Sequence, residues 1–321
     1  MSIPEQFSTL RLPLVAAPMF LVSGPELVIE TCKSGVVGTF PALNERTSEG
    51  FENWLNQIES ALAESPDSAP FGVNLIVHKT NPRLQDDLEL IVKHKVPLVI
   101  TSLGAAKEVV EAVHSYGGLV FHDVTNIRHA RKAAEAGVDG LIAVCAGAGG
   151  HAGTLSPFAL INEIRQFFNG TLLLAGCISS GRDIATARML GADLAYAGTR
   201  FINTRESRAD DAYKAMIQAC GAGDIVYTPK VSGIPANFLQ PSLARAGLLD
   251  DDAPSSHKAD VGAELAGAGE EAKAWKTIWS AGQGVGSIQD QPPVSELITR
   301  MRREFNDASN GFNRDNSRFM E

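Results

Sequence analysis

Three features of the sequence predict an α/β fold closed as a (β/α)8 barrel with an insertion or lid region after the eighth strand. Eight short apolar runs recur before residue 200. Amphipathic segments separate them, and glycines stand between several of those segments and the next run. Continuous apolar runs suit strands buried on both faces of a parallel sheet. Eight strand–helix units in about 200 residues point to the closed barrel. An open doubly wound sheet is the alternative, but no Gly-x-Gly-x-x-Gly follows the first run, which weakens its dinucleotide-binding form.

The runs are 12–16, 35–39, 71–77, 96–101, 118–122, 140–144, 171–175 and 194–197. Residues 105–116 (AAKEVVEAVHSY) and 126–136 (NIRHARKAAEA) carry clear helical periodicity. Gly35, Gly117, Gly137 and Gly191 sit where helix C-termini are usually closed by glycine. These patterns assign residues 1–222 to the barrel. Residues 210–221 read as helix. Residues 223–290 read as an irregular insertion or lid: 231–238 is rich in turn formers, 250–269 is small, acidic and mobile in character, and the glycines from Gly282 to Gly286 form a turn. Residues 291–321 supply a C-terminal helix over 294–305 that packs on the barrel, followed by a polar stretch, 306–321, expected to fray.

The chain has 321 residues, a net charge of −9, 44% hydrophobic and 20% charged residues, the balance of a soluble globular protein. A net acidic chain without a basic block is a poor match for nucleic acid or an anionic membrane. No apolar run approaches the roughly 18 residues needed to span a bilayer, and the first residues lack the pattern of a signal peptide. Cys32, Cys145, Cys177 and Cys220 are scattered without CxxC spacing, which fits free thiols in a reducing cytoplasm and not a metal site.

In a barrel the chemistry belongs to the loops after the strands. The most distinctive loop is Gly149-Gly150-His151-Ala152-Gly153, which presents an imidazole among glycines after the sixth run. Glycine lets a flat ligand approach the backbone, and His titrates nearest neutrality. An incidental surface His in a glycine turn is the plain alternative. Ala17-Pro18-Met19 ends the first run with small and soft apolar groups. Asn74 is a buried amide in the third run, which needs partners whether or not it meets a ligand. His122 and Asp123 end the fifth. Ala175-Gly176-Cys177 and Gly198-Thr199 end the seventh and eighth, the usual barrel position for a phosphate held by backbone N–H groups.

Assembled in order, these motifs and Leu190-Gly191-Ala192-Asp193 resemble the nitronate monooxygenase family, formerly the 2-nitropropane dioxygenases, over almost the whole chain. The resemblance implies an FMN-containing TIM barrel with the flavin phosphate on Gly176-Cys177 and Gly198-Thr199. It also implies His151 as the active-site residue. Ala17, Pro18, Met19, Asn74, His122, Gly149, Gly150 and Ala175 would complete the flavin site. Two departures stand out. Cys177 replaces the second glycine that family members often carry, and Asp123 stands where some members have a Lys. The implied reaction is FMN-dependent oxidation of alkyl nitronates with O2 to a carbonyl compound and nitrite, with His151 as base or anion-binding group. The Gly-Gly-His-x-Gly form also resembles the FMN-dependent enoyl-acyl-carrier-protein reductases. The alternative is therefore an NAD(P)H oxidoreductase acting on a quinone or an enoyl thioester. A flavin-storing barrel without turnover is the non-enzymatic reading. The expected partners are small molecules, and the sequence leaves a homodimer open.

Overall fold

The computed structural model describes residues 3–78, 80–104, 107–231, 233–249 and 277–316. Eight parallel strands close a barrel: β1 (Leu14–Ala16), β2 (Val37–Pro41), β3 (Phe71–Ile76), β4 (Leu98–Ser102), β5 (Leu119–Val124), β6 (Gly140–Val144), β8 (Thr171–Ala175) and β9 (Leu194–Ala197). β9 returns to β1, with Val15 opposite Tyr196. The helices outside the barrel are α1 (Pro25–Lys33), α2 (Ser48–Ala63), α3 (Leu84–Lys93), α4 (Lys107–His114), α5 (Ile127–Glu135), α6 (Pro157–Arg165) and α7 (Gly181–Leu190), followed by the single turn α8 (Thr199–Ile202).

Local chemistry sets these boundaries. Asn126 caps α5 by accepting from the His129 N–H. Ser180 and Asp183 form a reciprocal capping box at the start of α7. Gly191 closes α7 in the left-handed region, at φ 108°, where a side chain would be strained.

Strand alternation sorts the core into two layers. Val73, Leu75, Val99, Val120 and Leu172 join the large cluster beneath the helices. Val15, Leu98, Ile100, Leu119, Phe121, Leu173, Leu194 and Tyr196 fill the barrel itself. Phe7, 2% exposed, enters the inner layer and meets Phe121 edge-on at 5.9 Å. It closes the end of the barrel where the strands begin.

The chain after β9 builds the rim. It forms α9 (Asp211–Ala219), β10 (Ile225–Thr228), β11 (Ala236–Leu239), α10 (Gln240–Arg245) and, after a short 3-10 turn at Gln283–Ser287, α11 (Val294–Asp315). The strands β10 and β11 are an antiparallel hairpin, and β11 also pairs with β7 (Gly150–His151). The turn-rich stretch 231–238 is thus a strand in its last three residues, while Val231 and 233–235 stay irregular. Ala236-Asn237-Phe238-Leu239 is a central strand with partners on both edges, so all four residues are buried and no polar alternation marks it.

The final helix is also longer than its sequence pattern. Residues 294–305 pack on the barrel, but the helix continues through Asp315. Propagating a helix from a packed, nucleated turn costs far less than starting one, and no proline interrupts 306–315. α11 lies so close to α7 that a Cβ at Gly181 would stand 1.9 Å from the Met301 carbonyl. The acidic stretch 250–269 lies outside the described residues.

Candidate active site

Above the barrel, at the ends where the strands finish, opens a cavity of about 1280 Å³. Ala17, Pro18, Met19, Asn74, His122, Gly149, Gly150, His151, Ala175, Gly176, Cys177, Gly198 and Thr199 all line it. Every site residue suggested by the sequence is therefore brought to one place.

Its floor is polar. Alternation carries the inward face of β3, β4 and β5 to Asn74, Ser102 and Asp123. Asn74 Nδ2 donates to the Ile100 carbonyl at 3.1 Å and to Ser102 Oγ at 2.8 Å. Ser102 Oγ donates to Asp123 Oδ2 at 2.6 Å. Asp123 Oδ1 is buried and has no partner among the described residues. Burial pushes the Asp123 carboxyl up to about 6, opposed only by the Ser102 hydrogen bond. Beside it, His122 Nδ1 is hydrogen-bonded to Thr101 Oγ1 at 2.7 Å. Burial holds His122 at about 4, so this imidazole is neutral at pH 7.

The β1 loop forms one wall and is pinned by a residue the sequence did not flag. Asn44 Nδ2 donates to the carbonyls of Met19 and Ser23, and its Oδ1 accepts from the Leu21 N–H.

The opposite wall carries the loops after β8 and β9. Among the described residues no group accepts from the backbone N–H groups of Gly176, Cys177, Gly198 or Thr199. The two glycines differ in their reasons. Gly176 has φ 132°, and a Cβ there would crowd the Ala146 carbonyl at 3.1 Å. At Gly198 a Cβ would meet only Ala17 and Met19, at ordinary contact distances of 3.5–3.7 Å. The protein's own packing therefore does not require glycine at 198, a position that lines the cavity. Cys177 holds a left-handed backbone, φ 57°, although it has a side chain.

His151 sits on β7 with its side chain open to the cavity. Gly150 N–H donates to Ser280 Oγ at 2.7 Å, Ser280 Oγ donates to the Asn237 carbonyl at 2.8 Å, and Asn237 Nδ2 donates to the Ala148 carbonyl at 2.7 Å. Burial pushes the imidazole down to about 4. The neighbouring glycines have structural duties. A Cβ on Gly149 would lie 2.9 Å from the Gly282 nitrogen, one on Gly153 would lie 2.6 Å from the Val144 carbonyl, and Gly150 has φ 69°.

Side chains from the distant rim finish the cavity. Tyr213 and Trp279 stack with ring centroids 5.1 Å apart, and Tyr213 OH donates to the Ser280 carbonyl. Arg46, Lys132 and Arg208 stand at the mouth with Phe20, Leu21 and Leu103. Leu21 and Leu103 both have positive φ, 60° and 62°. No spacing in the sequence marks any of these positions.

The sequence model of the family described as nitronate monooxygenase matches residues 83–304, from the start of α3 into α11. The chain belongs to this family. Nitronate monooxygenase of Neurospora crassa is 26% identical over 344 residues, covering 93% of this chain and 90% of the relative. A Rhodococcus jostii protein is 27% identical over 236 residues, covering 73% of this chain. It is named as a dehydrogenase of a 5-hydroxy-7a-methyl-1-oxo-octahydro-indene-4-carboxyl-CoA. The match spans 64% of that relative's own length. The structure of FabK from Thermotoga maritima superposes with a TM-score of 0.82 at 24% identity, covering 97% of this chain and 99% of that one. This likeness shows the shared barrel fold. Among the described residues no helix is long and apolar enough to cross a membrane, and no group of three or more His, Cys, Asp or Glu could hold a metal ion.

Proposed function

We propose that the chain is an FMN-dependent oxidoreductase that converts alkyl nitronates and O2 to carbonyl compounds and nitrite. The observation that carries this reading is one cavity combining a cradle of unpaired N–H groups with an accessible neutral imidazole. The cradle fits a phosphate. Among the described residues four backbone donors have no protein partner, and a Cβ at Gly198 would make only ordinary contacts with Ala17 and Met19. Ala17, Pro18 and Met19 offer an apolar surface for a flat ring, and Asn74 and His122 flank its edge. Bound FMN would supply the electron acceptor for the nitronate and the route of its electrons to O2.

The chain's own residues do the rest. His151 is neutral at pH 7, so it accepts the α-proton of a neutral nitroalkane. The resulting imidazolium faces the nitronate it has created, and this charge pair forms where water is scarce and attraction is stronger. For a nitronate that arrives already ionised, neutral His151 offers an N–H donor. Tyr213, Trp279 and the β7–β11 pairing narrow the water around that loop.

Reduction by NAD(P)H, with a quinone or an enoyl thioester as acceptor, is the second reading. The cavity favours it in one respect. Its volume exceeds what a flavin and a small nitronate fill, and its mouth combines Arg46, Lys132 and Arg208 with Phe20, Leu21 and Leu103. That pairing suits a phosphate-bearing thioester with an apolar acyl group, the ligand class in the name of the Rhodococcus relative.

A visible spectrum after loading with FMN, then anaerobic mixing with propionate 3-nitronate and separately with NADH, tests both. Rapid bleaching by the nitronate alone supports the first reading, and bleaching by NADH alone supports the second. Failure to bind FMN overturns both.

A further inference from the structure

Asp123 is the feature of the floor that this reaction does not use. It points into the barrel on β5, with Phe121 beneath it and Ile142 opposite on β6. One carboxyl oxygen is held by Ser102. The other is buried and has no partner among the described residues. Among the described residues no Lys, Arg or His lies within 4 Å of it to form an ion pair. The polar groups from the packed elements are neutral. They are the Asn74 amide on β3, the Ser102 hydroxyl on β4, the His122 imidazole on β5 itself and the Tyr196 phenol on β9. Burial and the Asp123 charge both push the Tyr196 phenol upward. The neighbouring β6 contributes only apolar side chains. His151 lines the opposite rim, and His129, Lys132, Arg46, Arg208 and Asp210 stand at the open mouth, where solvent screens their charges.

An ionised Asp123 therefore sets an uncompensated negative charge under the substrate site. A second anion entering the cavity meets repulsion through a poorly solvated medium. Taking up one proton removes that repulsion. We propose that Asp123 determines the charge preference of the site, so that binding of a small anion is coupled to uptake of one proton by this carboxyl. This rests on the cavity being the nitronate site and adds which charge state of the floor admits the anion. It also gives the departure from Lys a consequence. A Lys at this position would attract the nitronate, whereas Asp123 favours the uncharged nitroalkane above the carboxyl's titration and admits the anion below it.

By linkage, anion affinity falls as pH rises through the Asp123 transition near 6, approaching tenfold per pH unit above it. Nitrite is the probe, since it stays an anion across the range. Its dissociation constant is measured from pH 5.5 to 8 on FMN-loaded protein by the flavin spectrum. Calorimetry in two buffers of different ionisation enthalpy counts the protons taken up. The expected result is a steep fall in affinity for the native protein and a flatter profile with tighter binding at pH 8 for Asp123→Asn. Asp123→Ser serves as a second variant should the amide disturb the Ser102 hydrogen bond. His151→Ala separates the other candidate: if anion binding draws its proton to His151, the slope disappears in that variant and persists in Asp123→Asn. That outcome overturns the proposal, as does a native profile flat between pH 5.5 and 8. Failure to load FMN counts against the function proposed above. The nitrite calorimetry on flavin-free protein then still decides the role of Asp123.

Discussion

His151 lies directly opposite Ala236 in an antiparallel pair, so the loop after β6 is held by a hairpin from beyond the end of the barrel. The neighbouring pair is Gly150 with Asn237, and Asn237 Nδ2 reaches the Ala148 carbonyl. The imidazole is thus placed by three segments far apart in sequence.

Asn237→Ala removes that donor from a buried site. Loss of one such hydrogen bond costs about 1–3 kcal/mol. Turnover is expected to fall more than FMN content, because the cradle belongs to other loops. Thermal unfolding and the flavin-to-protein absorbance ratio measure the two effects. Flavin lost in proportion to activity would place Asn237 in the cofactor site instead.

His151→Ala should leave FMN bound. Turnover of a neutral nitroalkane should drop by ~10²–10⁴-fold, the usual contribution of a positioned base. A pre-formed nitronate should lose less, since its proton has already gone. Equal losses on both substrates would make His151 an anion-binding group. Steady-state rates on the two forms of one nitroalkane give the answer.

Gly198 offers a cleaner test of the cradle than Gly176. Gly176→Ala is strained by its φ of 132° whatever occupies the cavity. A side chain at 198 meets Ala17 and Met19 at ordinary contact distance and otherwise faces the cavity, so Gly198→Val should lower FMN affinity at least tenfold while leaving the unfolding temperature of the flavin-free protein within a few degrees. Full flavin retention in a folded Gly198→Val protein would move the phosphate elsewhere.

Cys177 is exposed to the cavity, whereas Cys32, Cys145 and Cys220 are buried. Burial also raises the Cys177 thiol, so the reaction with a maleimide should be slow at pH 7 and faster at pH 8.5. It should stop at one label in native protein and be blocked by FMN. Mass spectrometry of labelled peptides with and without FMN reads this directly, and labelling unaffected by FMN would place the cofactor away from this loop.

Acid should destabilise the fold. His122 and His151 are held at about 4, against roughly 6.5 in an unfolded chain. Between these values the unfolded chain binds more protons, so stability is fully present above about 6.5 and declines as pH falls toward 4. Asp123 acts the other way. Its raised value, about 6, makes the folded state the stronger proton binder between roughly 4 and 6, partly offsetting the loss. Unfolding temperatures from pH 4.5 to 7.5 should rise with pH, and the rise should steepen in Asp123→Asn. A flat profile in both proteins would show that these groups are solvated in the folded chain.

Much of this was legible in the sequence. The strands at Gly140–Val144, Thr171–Ala175 and Leu194–Ala197 fall where their apolar runs lie, because burial on both faces leaves an uninterrupted signal. The loop glycines and His151 were visible for the same local reason, although Gly149 turns out to be dictated by the backbone of Gly282. What stayed hidden depends on distant contacts. Nothing near Asn44 announces that it fastens the Met19 loop, and nothing near Ala236 announces that it will pair with His151. The Asp123–Ser102–Asn74 chain is made by three neighbouring strands, and its geometry appears only when the barrel closes.

Phe7 gives the barrel a consequence of its own. By packing over the end where the strands begin, against Phe121, it extends the filled interior of the barrel below the floor of the cavity. Asp123 stands two residues above Phe121 on β5, so this ring belongs to the dry footing of a floor it does not touch, and the electrostatics of the cavity begin at the far end of the barrel.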